Sequence, residues 1–225
     1  LAEIFSREWS PDLLEKNLPL WGKPFMIVNP GATFKLYPCG RPPLFAVDCV
    51  IEIQEKYAID LKDIEKIQAD VSFLYPRTLI HQRPINGLQA KASLQYCIAT
   101  TFLDTRPTLK SFTDSAVARP EINALIDLIE VHVPPHLTED IPAVRKAPFE
   151  QPVKITVQTK SGKTYSATVP IHKGSPQNPA SPNDLQQKFI DCATMHIPLA
   201  KAKTILDFIS QPNAKVRTLM QLLQV

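Results

Sequence analysis

Two basic side chains close to the start of a helix are the residues of this sequence best placed to do chemistry. Lys35 and Arg41 lie in a turn that contains proline, and Pro42 and Pro43 suit the first turn of a helix. The first backbone N–H groups of a helix and its dipole both favour negative charge. The stretch 31–48 therefore predicts a pocket for a small anion, with a solvated lysine and a surface arginine as the ordinary alternatives.

The helix that follows this turn is predicted from its spacing of apolar residues. Ala46, Val50 and Ile53 recur at helical intervals up to Tyr57, and acidic residues beginning with Asp48 are expected to face away from the core. The pattern predicts a helix over residues 43–57.

The rest of the chain supplies strands and further helices. Alternating apolar and polar residues predict four strands of antiparallel type, at 67–74, 129–133, 153–158 and 164–169, the last two joined by a hairpin at 159–163. Helical patterns lie at 2–18, with a new start at Ser10-Pro11, and at 87–103, 108–117, 120–128, 181–193, 198–209 and 214–223. This order predicts an α+β fold: a small antiparallel-sheet domain with helices, flanked by terminal helices that belong to an all-helical domain mostly absent from this chain.

Composition excludes several classes of function. The formal net charge of +3 on 225 residues comes without a basic run, which argues against nucleic acid, and no apolar stretch is long enough to span a membrane. The four cysteines are far apart in sequence, which argues against a structural zinc site or a disulfide framework and favours a reducing compartment. We expect a cytoplasmic protein, or one of the mitochondrial matrix if the source is eukaryotic.

Four groups of residues occur in a specific order along the chain. They are Lys-Leu-Tyr-Pro-Cys-Gly at 35–40 with Asp48, Gly-Leu-Gln-Ala-Lys-Ala-Ser-Leu-Gln-Tyr-Cys at 87–97, Phe-Thr-Asp at 112–114, and Gly-Ser-Pro-Gln-Asn-Pro at 174–179 with Asp184-Leu185 and Lys188-Phe189. Together they resemble the MmgE/PrpD family, which includes 2-methylcitrate dehydratase, cis-aconitate decarboxylase and iminodisuccinate epimerase.

The resemblance implies an architecture and a set of partners. Residues 1–33 would end a helical domain, residues 34–170 would form the smaller inserted α+β domain, and residues 171–225 would return to the helical domain. A helical N-terminal half would then precede this chain, which should be inactive alone and should expose apolar faces on its terminal helices. Family members of this kind use no cofactor, form homodimers and act on small polycarboxylates.

The resemblance also implies roles for four residues. Lys35 and Tyr96 match catalytic residues of the family, whereas Arg41 and Lys91 are expected to bind substrate carboxylates. The alternative for Tyr96 is a core tyrosine. If residues 87–103 form one helix, Lys91 lies about 140° around it from Tyr96, which favours a structural role for Lys91.

One position departs from the family pattern. Members of this type commonly carry a histidine nine residues after the turn lysine, and here Leu44 occupies that position. Leucine cannot transfer a proton, and the five histidines present fall outside the motifs, where we expect them to be solvated.

Two hypotheses about function therefore stay open. The first is a cofactor-free lyase or isomerase that dehydrates 2-methylcitrate or citrate, or decarboxylates cis-aconitate. The second is a non-catalytic relative, a binding or assembly subunit that has lost the proton-transfer histidine.

Overall fold

The computed structural model describes residues 10–224. The chain divides into two compact units, one ending at Phe34 and the other beginning at Lys35.

The N-terminal unit contains little regular structure. Helix α1 spans Pro11–Asn17, so its start after Ser10 is confirmed, and it continues into a 3₁₀ turn at Leu18–Leu20. A π-type turn covers Ile27–Gly31. Among the exposed apolar side chains, Trp21 is 78% exposed. The part of the predicted helix that precedes Ser10 lies outside the described residues.

The second unit is built on a four-stranded mixed sheet with helices, which confirms the α+β class. Its strands are β1 (Ile64–Asp70), β2 (Ile129–His132), β3 (Val153–Thr159) and β4 (Thr164–Val169). They lie in the order β2-β1-β3-β4.

Strand direction departs from the expectation at one edge of this sheet. β3 pairs antiparallel with both β1 and β4, but β2 runs parallel to β1, with Ile67 opposite Ile129. Parallel neighbours need a long crossover, and several helices do separate β1 from β2 along the chain. Residue alternation reports only which face of a strand is buried, so it did not reveal this direction.

One helix of this unit precedes the first strand, and the others lie between the strands or after them. Their bounds are α2 Arg41–Lys56, α3 Leu74–Thr78, α4 Gly87–Ala90, α5 Leu94–Asp104, α6 Asp114–Val117, α7 Pro120–Ile126, α8 Pro142–Lys146, α9 Pro182–Ala193, α10 Leu199–Ile209 and α11 Val216–Leu222. Short 3₁₀ turns lie at Leu61–Asp63, Leu109–Phe112, Pro135–Leu137 and Pro148–Glu150.

Helix α2 is the central element of the core. It packs across β3 and β4 on one side and against α5 on another. Val47, Val50 and Ile53 are fully buried along it. The predicted helix at 43–57 is therefore confirmed, and it begins two residues earlier, at Arg41.

The predicted helix at 87–103 is interrupted, so Lys91 and Tyr96 do not lie on one continuous helix. Ser93 adopts an extended conformation, and its side chain accepts a hydrogen bond from the Tyr96 N–H at 3.1 Å, so α5 starts anew after a break at residues 91–93. Because Lys91 lies in this break, the angle of about 140° for a continuous helix does not apply to Lys91 and Tyr96.

The terminal helices expose large apolar side chains, as expected from the resemblance. The residues that do so on α9, α10 and α11 are Leu185, Leu199, Ile209, Val216 and Met220. No helix of the described residues is long and apolar enough to cross a membrane.

Gly87→Ala should lower the free energy of unfolding by about 3 kcal/mol, because the added methyl group would overlap backbone. A Cβ at Gly87 would lie 1.9 Å from the Phe112 carbonyl oxygen. Gly87 and Phe112 belong to two different sequence motifs, which pack against each other here. Urea denaturation measures the loss. Gly40→Ala is the matched control, since its Cβ would meet Lys91 O at 3.4 Å. Equal stability of the two variants would contradict the prediction.

Candidate functional site

The Lys35 turn, residues 35–40, holds one exposed cationic side chain among neighbours that are buried in the core. Leu36, Tyr37 and Cys39 are each about 95% buried in the core, whereas Lys35 is exposed. The Lys35 ammonium donates a hydrogen bond to the Cys39 carbonyl at 3.3 Å, so the side chain folds over its own turn. Burial of the neighbours thus holds Lys35 at a fixed place on the surface.

The break between α4 and α5 lies directly beside this turn. The Gly40 N–H donates to the Lys91 carbonyl at 2.8 Å, and the exposed Lys91 side chain starts from that same point. The Cys39 and Cys97 thiols also meet here. Cys97 is fully buried, which fits a packing residue, and burial followed by the contact with Cys39 raises the pKa of its thiol.

Arg41 is the first residue of α2 and follows the turn directly. Its Nη2 atom lies 3.8 Å from Glu150 Oε1, and the two side chains are 49% and 65% exposed. An exposed pair of this kind contributes at most about 1 kcal/mol. The guanidinium can therefore exchange Glu150 for another carboxylate at small cost.

Tyr96 occupies a different environment from the three cations. Its side chain is fully buried, its ring packs 5.7 Å from that of Phe112, and its hydroxyl donates a hydrogen bond to the Ser111 carbonyl. Burial raises the pKa of this hydroxyl. The structure places Tyr96 as a core tyrosine, the alternative stated for it above.

The position of the missing histidine is also part of the core. Leu44 is 1% exposed on the inner face of α2. Among the histidines, His172 departs from the expectation of solvation, because it is 1% exposed, packs edge-on against Phe45 and bonds through Nδ1 to the Lys173 carbonyl at 3.0 Å. The described residues contain no group of three or more side chains that could hold a metal ion.

A half-buried carboxylate that sequence reasoning missed lies beneath the turn. Asp48 was expected to face away from the core, but its Oδ1 accepts the Tyr37 hydroxyl at 3.0 Å and its Oδ2 accepts the Lys173 N–H at 2.6 Å. Burial raises the pKa of Asp48 against the opposing effect of these bonds, and burial and Asp48 raise the pKa of Tyr37. The signal in the sequence was the place of Asp48 within the first motif.

The cavity beside Asp48 has a volume of about 670 Å³. Its polar lining includes Tyr37, Asp48, Arg106, Lys173 and Asp184, but none of the four residues predicted for the site. The structure therefore joins the backbone of Lys91 to the turn that Lys35 begins and Arg41 follows, and neither these residues nor Tyr96 line this cavity.

Asp184 also lines this cavity. Its carboxylate accepts the Lys173 ammonium at 3.0 Å and caps the start of α9 through the Ser181 N–H at 2.8 Å. Burial opposes ionisation of Asp184, but the bonds from Ser181 and Lys173 outweigh it and lower the pKa of the carboxyl to about 2.

Comparison with known proteins identifies the family of this chain. Residues 37–211 match the MmgE/PrpD C-terminal domain. The chain belongs to the MmgE/PrpD family. The match covers more than half of the chain and includes α2, the whole sheet and helices α9 and α10; it begins two residues after Lys35.

A curated relative is cis-aconitate decarboxylase of Homo sapiens. It is 28% identical to this chain over 106 residues, which are 47% of the chain and 21% of the relative. The aligned part is thus about a fifth of the length of that enzyme. The family match over residues 37–211 confirms the resemblance inferred from the sequence motifs.

Tyr96→Phe should lower the free energy of unfolding by about 1 to 2 kcal/mol, because it leaves the Ser111 carbonyl without its buried donor. Chemical denaturation measures the effect. Tyr57→Phe is the control, since Tyr57 is 39% exposed. A loss for Tyr96→Phe no larger than that for Tyr57→Phe would contradict the core assignment.

Asp184→Asn should destabilise the protein near neutral pH, with a difference that shrinks as the pH falls from about 4 towards 2. The carboxyl has a pKa of about 2 in the folded protein against its ordinary 3.8. Its stabilisation is therefore present above the unfolded pKa and is lost as acid protonates it in the folded state. Urea denaturation of both proteins between about pH 3 and pH 7 tests this sign. A difference that grows in acid would refute it.

Proposed function

We propose that the full-length protein binds a small di- or tricarboxylate and acts on it as a cofactor-free lyase or isomerase of the MmgE/PrpD type. The observation that carries this proposal is that three exposed cationic residues, Lys35, Arg41 and Lys91, start from one turn and from the backbone that the Gly40–Lys91 bond joins to it. A polycarboxylate needs such cations to offset its charge.

The same cations would serve the chemistry as well as binding. Loss of a proton or of carbon dioxide beside a carboxylate builds negative charge on the remaining oxygens, and a positioned ammonium stabilises that charge as it develops. In this scheme Lys35 contacts the reacting part of the substrate, while Arg41 and Lys91 hold its outer carboxylates. Tyr96 would act as a hydrogen-bond donor only after exchanging the Ser111 carbonyl for substrate.

Dehydration of 2-methylcitrate or citrate and decarboxylation of cis-aconitate are the reactions we propose to test first. The relative named above is a cis-aconitate decarboxylase. That likeness and the family membership support the substrate class.

A second candidate function is favoured by Leu44. The leucine side chain occupies the position at which family members commonly carry the proton-transfer histidine, and it is only 1% exposed. A protein with the cations but without this proton carrier would bind a polycarboxylate without turning it over. The second candidate is therefore a binding or assembly subunit.

The remaining partners belong to the same proposal. The exposed apolar residues of α9 to α11 support a helical N-terminal half that completes the protein, and the family likeness supports a homodimer. We propose that residues 1–225 alone are inactive.

Lys35→Ala should weaken binding of cis-aconitate or citrate to the full-length protein by about 10- to 100-fold, because it removes one charge-assisted contact. Isothermal titration calorimetry measures the affinity. The control is Lys203→Ala, which removes an exposed lysine of α10. Unchanged affinity in Lys35→Ala would sink the assignment of the site.

Turnover assays of the same protein separate the two candidates. Dehydration of 2-methylcitrate or citrate, or release of carbon dioxide from cis-aconitate, supports the enzyme. Tight binding with no conversion supports the non-catalytic subunit. Absence of both binding and turnover for all three acids would reject both candidates.

A further inference from the structure

We propose that Lys188 is a positioning residue for Lys35, so that helix α9 is part of the site although it lies about 150 residues downstream. The Lys188 ammonium donates a hydrogen bond to the backbone carbonyl of Lys35 itself. This inference rests on the function proposed above and assigns to a terminal helix a role in it.

The contact acts on the main chain at the residue that carries the site ammonium. Leu36 and Tyr37 anchor the following part of the turn in the core, and the Lys35 side chain reaches forward to the Cys39 carbonyl. Lys188 fixes the other end, the carbonyl of residue 35. With both ends held, the direction in which the Lys35 side chain leaves the backbone is restricted.

Helix α9 is held in register to make this contact. Asp184 and Lys188 lie four residues apart and therefore on one face of the helix. Asp184 binds the Lys173 ammonium, and Ser181 with Asp184 forms a reciprocal cap that fixes where the helix begins. A helix with a fixed start and a fixed rotation presents Lys188 at a defined point.

These contacts close into a ring that returns to the turn. Lys35 is joined to Lys188, and Asp184 on the same helix is joined to Lys173. The Lys173 N–H binds Asp48, which also accepts the hydroxyl of Tyr37, two residues after Lys35. Because these four polar contacts are connected by helix α9, by Lys173 and by the turn itself, a shift of α9 acts on the turn from both sides.

The alternative is that Lys188 is an ordinary surface lysine whose contact has no consequence. It predicts that replacement of Lys188 changes neither the affinity of the site nor the environment of Lys35. A direct role of Lys188 in holding substrate is a second alternative, and it predicts an effect that does not depend on Lys35.

A double-mutant cycle in the full-length protein tests these readings. Lys188→Met keeps the length of the side chain and removes its donors, and it should weaken cis-aconitate or citrate binding about tenfold in calorimetry. In the Lys35→Ala background the same change should have no effect, since a positioning residue acts through the group that it positions. Lys188→Arg, which keeps a cationic donor, should restore affinity to within about threefold of the natural protein.

Two outcomes of the cycle overturn the inference. A tenfold loss of affinity that persists in the Lys35→Ala background would make Lys188 a direct contact. Unchanged affinity in Lys188→Met, together with a loss in Lys35→Ala, would remove Lys188 from the site and leave the proposed function intact. Lys203→Met on α10 is the matched control for loss of one surface ammonium, and it should not change the affinity.

A labelling experiment separates failure of this inference from failure of the proposed function. Pulse acetylation followed by mass spectrometry reports the reactivity of the Lys35 amine without any substrate. Lys188→Met should change the rate of Lys35 acetylation several-fold, and Lys203→Met should leave it unchanged. If Lys35→Ala binds the acids normally, the proposed function fails, and the acetylation rate still decides whether Lys188 controls Lys35. An unaltered rate in Lys188→Met overturns the positioning role.

Discussion

The arrangement of this protein depends on one half-buried carboxylate. Asp48 projects from the central helix α2 and accepts the hydroxyl of Tyr37 on one oxygen and the N–H of Lys173 on the other, while burial raises its pKa. An acceptor-only group in the interior is tolerated when both oxygens are satisfied, and it then fixes its partners because leaving either oxygen unpaired is costly. The turn before α2 and the loop after β4 are thereby held to the same helix.

Exposure of the candidate site follows from this burial. Tyr37 can reach Asp48 only if the turn lies against α2, and Leu36 and Cys39 enter the core beside it. Lys35 is then left at the surface, and the Gly40 N–H at the end of the same turn donates to the Lys91 carbonyl. Cations held at the surface by a buried framework can meet an anion without a large change in conformation, since the ordering of the turn is already complete.

Helix α2 bears on whether the protein only binds its ligand or also converts it. Cationic residues at the Lys35 turn are the basis of the proposed binding of a polycarboxylate, whereas Leu44 on the buried face of α2 offers no proton carrier. His172 is buried against Phe45, next to Leu44 in sequence, but its Nδ1 is engaged by a backbone carbonyl and its ring is closed off from solvent. Membership of the MmgE/PrpD family fixes the type of fold, and proton transfer is the property on which the two candidate functions differ.

The sequence by itself determined the elements and the family. Apolar periodicity located α2, the strands and the terminal helices, because burial of one face imposes a period that survives in the residue order. At Ser93, a local hydrogen bond overrides the apolar periodicity that predicted one helix. The Ser93 side chain caps α5, so the predicted helix is divided into α4 and α5 with Lys91 in the break. A cap of this kind was visible as a residue type but not as a boundary.

Only the tertiary structure decided how distant residues meet. The parallel direction of β2, the burial of Asp48 and the contact of Lys188 with Lys35 all join segments that lie far apart in sequence. Periodicity says which side of an element is apolar, but the partner of a polar group depends on the path of the chain. For that reason the site residues could be proposed from motifs, whereas their surroundings, core for Tyr96 and surface for Lys35, required the fold.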